Sequence, residues 1–112
     1  MASFNKVLLM GNLTRDPELK FTASEQAVCG FGMAVNRKYK SGDDLKEDVC
    51  FCEVAVWGKN GENCAEYLSK GSQVFVEGRL DYQSWDSDSG KRSKLQIVAN
   101  SVQFLEKKKG DE

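Results

Sequence analysis

Along Asp48-Val49-Cys50-Phe51-Cys52-Glu53-Val54-Ala55-Val56-Trp57 the side chains alternate as on a strand, whose successive residues point to opposite faces. Cys50, Cys52, Val54 and Val56 make one apolar side, and Phe51, Glu53, Ala55 and Trp57 the other. Before this strand, Phe4 to Leu13 is a near-continuous apolar run, closed by a turn through Asn12 to Asp16-Pro17. Gln26 to Asn36 reads as a second strand, in which Gly30 and Gly32 allow the strong coiling that small barrels need. Residues 40–48 read as a polar hairpin loop. Residues 60–70 have a helical face of Cys64, Ala65, Tyr67 and Leu68, with Asn60 as cap and Gly71 as stop. Val74, Val76, Gly78, Leu80 and Tyr82 then alternate with charged neighbours along a half-buried strand, and Asp86 to Gly90 is a turn. The last strand spans Ser93 to Leu105. Its apolar set changes parity from Leu95 and Ile97 to Val102 and Phe104, which predicts a bulge near Ala99 and Asn100. The predicted class is all-β: a five-stranded OB-fold barrel with one helix between strands three and four.

Glu53 bears on what the third strand does. A buried sheet face does not readily accept a carboxylate, so Phe51 and Trp57 stand on an open surface. Rings displayed on an open sheet suit the stacking of unpaired nucleic-acid bases. The same rings could instead cover a hydrophobic edge or a contact between subunits.

Charge adds to the first reading. The formal net charge is -1, which by itself argues against a polyanionic partner. Its distribution is uneven: residues 1–42 sum to +3, 43–66 to −5, 67–90 to −2 and 91–112 to +3. Folding that gathered the basic ends would make a cationic groove. In Arg37-Lys38-Tyr39-Lys40 a ring sits between cations, again suited to a nucleic acid.

The remaining composition mainly excludes. At 112 residues the chain suits one domain over residues 1–105, with 106–112 as a mobile tail. No apolar run approaches the roughly 20 residues of a membrane span, and the start lacks a secretion signal, so the expected location is cytoplasmic. Cys29, Cys50, Cys52 and Cys64 fit that compartment as free thiols. Histidine is absent and no CxxC pair occurs, so no metal site and no cofactor are expected. No nucleophile–base arrangement is visible either, and an enzyme is disfavoured.

Asn5-Lys6-Val7-x-Leu9-x-Gly11-Asn12-Leu13-x-x-Asp16-Pro17-Glu18 resembles the opening of the bacterial single-stranded DNA-binding proteins. So does Glu66-Tyr67-Leu68-x-Lys70-Gly71-Ser72-Gln73-Val74-x-Val76-Glu77-Gly78-x-Leu80; with Trp57-Gly58-Lys59 between and Trp85 after, the resemblance spans about residues 4 to 105. It implies sequence-tolerant binding and protection of single-stranded DNA in replication, recombination or repair. It also implies a homo-oligomer, usually a tetramer, in the cytoplasm at the nucleoid, with the first strand in the pairing surface. Carried over by position, the base-stacking rings are Tyr39, Phe51, Trp57 and Trp85. The family more often has tryptophan at the first two of these and phenylalanine at the third. Lys6 and Lys59 match basic motif positions. Arg37, Lys38, Lys40, Arg79, Lys91 and Arg92 are candidate phosphate contacts from charge and placement alone. Family members usually continue into a long linker and an acidic tip ending in Pro-Phe, which recruits partner enzymes. No match to that tip follows Leu105, so recruitment is not expected of this chain. A primosome-like adaptor built on the same barrel is the alternative, and the rings do not separate DNA from RNA, a distinction that rests on the 2′-hydroxyl.

Overall fold

A twisted sheet with one apolar face can bury that face, and lose its open edges, by closing on itself. The computed structural model describes residues 2–105, so the tail read at 106–112 lies outside the described residues. The elements are β1 (Val7–Leu13), β2 (Glu18–Phe21), β3 (Ala27–Ser41), β4 (Asp44–Trp57), α1 (Lys59–Tyr67), β5 (Gln73–Ser87) and β6 (Gly90–Phe104). The sheet runs β1-β5-β6-β4-β3-β2, and β1 also pairs with β3. Five strands therefore close the expected barrel, and β2 lies outside it as an extra strand on β3. Closure is made at Asn12 opposite Ala34 and Leu13 opposite Met33. It needs Gly11, because a Cβ there would collide with the Ala34 carbonyl oxygen.

The buried set follows the alternation. Cys29, Phe31, Met33, Val54, Val56, Val74 and Val76 point inward, and Cys64 and Leu68 of the helix region close the base. The bulge falls where the parity change put it. Glu77 pairs with Ser101 but Gly78 with Ala99, which leaves Asn100 as the extra residue.

Three local expectations are corrected. Residues 40–48 are no loop: β3 and β4 stay paired out to Ser41 opposite Asp44, and only Gly42-Asp43 turns, with Gly42 at φ 64°. The helix starts at Lys59 after Gly58, and Asn60 does not cap it. Strand β4 ends at Trp57, and the Gly58 N–H is already held by the Ala27 carbonyl at 2.9 Å, so the chain turns before Asn60 is reached. The helix also ends at Tyr67 rather than near Gly71. Gly71, at φ 92°, instead shapes the following turn, where its N–H meets the Leu13 carbonyl.

Burial pushes the Cys64 thiol from its ordinary 9.0 up to about 12. The unfolded chain ionises this thiol at lower pH than the folded chain, so between about pH 9 and about 12 the unfolded state binds fewer protons and stability falls as pH rises. Wild type is accordingly expected to melt above Cys64→Ala at pH 8, with the gap narrowing by pH 10.5. A constant gap would show that the thiol ionises alike in both states. In the native protein at pH 8 a thiol reagent should label exposed Cys50 and spare buried Cys29 and Cys64 until unfolding.

Candidate nucleic-acid interface

β4 meets β6 only from Val54–Ile97 to Val56–Ala99. Beyond those rungs the two long hairpins separate into arms, β3–β4 ending at Gly42-Asp43 and β5–β6 ending beyond Ser87. Between them lies an open cavity of about 510 Å³, lined by residues that include Val7, Leu9, Cys50, Leu80, Leu95 and Ile97.

Tyr39 and Phe51 sit on the first arm and Trp85 on the second, while Trp57 lies past the β4–β6 rungs at the barrel end of β4, just before the helix. Phe51 and Trp57 share the outward face of β4, opposite Ala34 and Val28 in register. Their exposures are 72% and 42%, large values for such side chains. Trp85 is on the second arm, opposite Arg92 and 46% exposed. Tyr39 lies opposite Lys46, which by alternation puts it on the other face of the first arm from Phe51 and Trp57. The Arg37 guanidinium lies 4.9 Å from the centre of its ring. Three rings thus face outward and one points away.

The candidate cations are spread over the surface instead of filling one groove. Arg37, Lys38 and Lys40 ride on the first arm and Lys91 and Arg92 near the end of the second. Arg37 is drawn toward Asp48 at 3.4 Å. The Arg92 guanidinium donates to Ser89 at 2.9 Å. Arg79 projects from β5 opposite Val98, and Lys59 opens the helix at the base of the barrel. Lys6 is held by Glu77 at 3.0 Å across β1 and β5.

Sequence reasoning missed a second group. Arg15, Lys20 and Lys94, together with the carboxylates Glu18 and Glu53, border a shallow hollow of about 190 Å³ that is also lined by Val28, Gly30 and Ala55, and Lys20 is paired with Glu18 at 3.0 Å. Lys20 gave little signal, because the alternation of Glu18, Leu19, Lys20 and Phe21 is only four residues long and all four are exposed. Among the described residues there is no group of three or more His, Cys, Asp or Glu placed to hold a metal ion.

A five-stranded barrel with its helix at the base and rings displayed on two arms defines an oligonucleotide-binding (OB) fold protein. The single-strand binding protein family model matches residues 4–105. The single-stranded DNA-binding protein of Treponema pallidum is 49% identical over 105 residues, 94% of this chain and 60% of that protein. That of Helicobacter hepaticus is 46% identical over 112 residues, 97% of this chain and 66% of its own. The chain belongs to the single-strand binding protein family. It spans 60% to 66% of the length of these relatives. Two solved structures share the fold. One is a deletion mutant of the single-stranded DNA binding protein from Thermus aquaticus, at a TM-score of 0.85 and 30% identity, covering 94% of this chain and 52% of that one. The other is the Plasmodium falciparum single-strand binding protein in complex with single-stranded DNA, at 0.84 and 26%, covering 95% of this chain and 98% of that one.

Proposed function

We propose that this chain binds single-stranded DNA with little regard to sequence and so protects it during replication, recombination or repair. Phe51, Trp57, Trp85 and Tyr39 stack bases, and the cations of the arms, Lys59 at the helix start, Arg79 on β5 and Lys6 just before β1 hold phosphates. The observation that carries the reading is the outward display of Phe51 and Trp57 on β4 of an OB barrel. Every base offers a π face to such rings, which accounts for tolerance of sequence. The protein acts without chemistry, in the cytoplasm. It works as a homo-oligomer, a tetramer whose contact includes β1. In support, Leu8 and Met10 project from the outward side of β1 with more than half their surface exposed. Several barrels in one assembly let a strand wrap, so that modest contacts add through effective concentration.

Titration with oligo(dT), oligo(rU) and duplex DNA of equal length tests this, with tryptophan emission as the signal. Oligo(dT) should bind and quench, and duplex should not; oligo(rU) binding as tightly would remove any preference for DNA. Log affinity should also fall with log salt, by about 0.7 for each phosphate neutralised on a single strand. Arg92→Ala, next to Trp85 in register, should flatten that slope by roughly one such step. An affinity indifferent to salt would remove the cations from the site.

A further inference from the structure

Glu53 is the one carboxylate in the outward row of β4 between Phe51 and Trp57, and it is held from outside the barrel hairpins. Arg15 follows β1, and its guanidinium crosses β3 above Gly32, where a Cβ would lie 2.6 Å from Nη1. Gly32 is the register partner of Glu53, so the missing side chain is what opens the crossing. The guanidinium then grips the carboxylate with both prongs, Nη1 to Oε1 at 3.0 Å and Nη2 to Oε2 at 2.9 Å. Both side chains stay nearly half exposed, at 48% and 44%. An ion pair so open to water adds little to stability, yet it stands in the row of rings and at the rim of the hollow that Lys20 and Lys94 also border.

A planar guanidinium fits a phosphate by the same two-pronged geometry as a carboxylate. We propose that the Arg15–Glu53 pair is an electrostatic latch on the DNA face, in which an entering phosphate displaces Glu53 from Arg15. The inference rests on the single-stranded DNA reading above and adds an affinity-setting pair to it. Closed, the latch cancels a cation beside the rings. Open, it leaves a carboxylate near the phosphate chain, which repels it. Glu53 therefore holds affinity down and Arg15 raises it.

The test is oligo(dT) titration of the full chain at several salt concentrations, for wild type, Glu53→Gln, Arg15→Ala and the double variant, with a thermal melt of each. Glu53→Gln should bind roughly three- to tenfold tighter, with a salt slope steeper by about 0.7, one more phosphate neutralised. Arg15→Ala should bind more weakly, and adding Glu53→Gln to it should recover part of the loss. All four should melt within a few degrees of one another. If wild type binds but Glu53→Gln matches it in affinity and slope, or binds more weakly, the pair is a structural strap and the latch is wrong. If wild type itself does not bind oligo(dT), the DNA reading fails first and takes the latch with it.

Discussion

Phe31→Ala is expected to lower folding stability by about 3–5 kcal/mol, the usual cost of truncating a fully buried phenylalanine. Phe31 has no exposed surface and points into the barrel from β3, among Met33, Val54 and Val76. A closed sheet is hydrogen-bonded around its circumference, so its walls cannot easily collapse onto the space a ring leaves. Small domains are stable by only about 5–15 kcal/mol, and the substitution removes a large share. Urea denaturation should show a lower midpoint with an unchanged slope. Phe51→Ala, which removes the same ring from an exposed position, is expected to shift stability by no more than about 0.5 kcal/mol. Equal losses at the two positions would mean that the assignment of inward and outward faces is wrong.

That assignment was legible because the second half of β4 sends Val54 and Val56 into the core and buries only small Ala55 on the outward face, and a half-buried strand writes its period into the sequence. Cys50, Cys52, Val54 and Val56 against Phe51, Glu53 and Trp57 placed the rings outside, although Cys50, out on the arm, is itself exposed and not inward. The parity change in β6 located the bulge at Asn100 for the same reason. The arms left no such trace. Arg37, Lys38 and Lys40 in β3, and Asp44 to Asp48 in β4, are exposed. With water on both faces, the hairpin is held by backbone pairing and exposed polar contacts such as Arg37–Asp48, and no hydrophobic period results. Residues 40–48 therefore read as a loop, and the face on which Tyr39 stands could not be known until the turn at Gly42-Asp43 fixed the register.

The residues that carried the family resemblance are largely ties within the scaffold. Asn5 clasps the Leu80 backbone, accepting its N–H at 2.9 Å and donating to its carbonyl at 2.8 Å. Asp16 accepts the Lys70 N–H at 2.7 Å, and Asn12 donates to the Gly71 carbonyl at 3.2 Å. They join the first strand and its turn to the segment after the helix. The motif therefore reports the barrel with high specificity and says less about which side chains meet a ligand. Arg15 shows the gap. It sits between motif residues, and only the crossing over Gly32 reveals that it reaches Glu53.

The largest effect on binding is expected from replacing Phe51, Trp57 and Trp85 together with alanine. Each stacked base is worth about 1–3 kcal/mol, a factor of roughly 5 to 150 in affinity. Phe51 and Trp57 are six residues apart on β4, about 20 Å along the strand, and Trp85 is on the other arm. Sites so far apart are close to additive, so the triple variant should lose at least about a hundredfold for oligo(dT) and melt as wild type does. The chain has only two tryptophans, and this makes the single variants informative. In Trp57→Ala all tryptophan emission comes from Trp85, and in Trp85→Ala all of it comes from Trp57. Quenching by oligo(dT) in both variants would place DNA both at the barrel end of β4 and on the second arm; quenching in one alone would confine it to that one place. Tyr39→Ala should cost less than Trp57→Ala, because Arg37 already covers one side of the Tyr39 ring. An equal cost at Tyr39 would mean that the strand wraps around the first arm to reach its opposite face. A triple variant that binds as wild type does would remove the rings from the interface altogether.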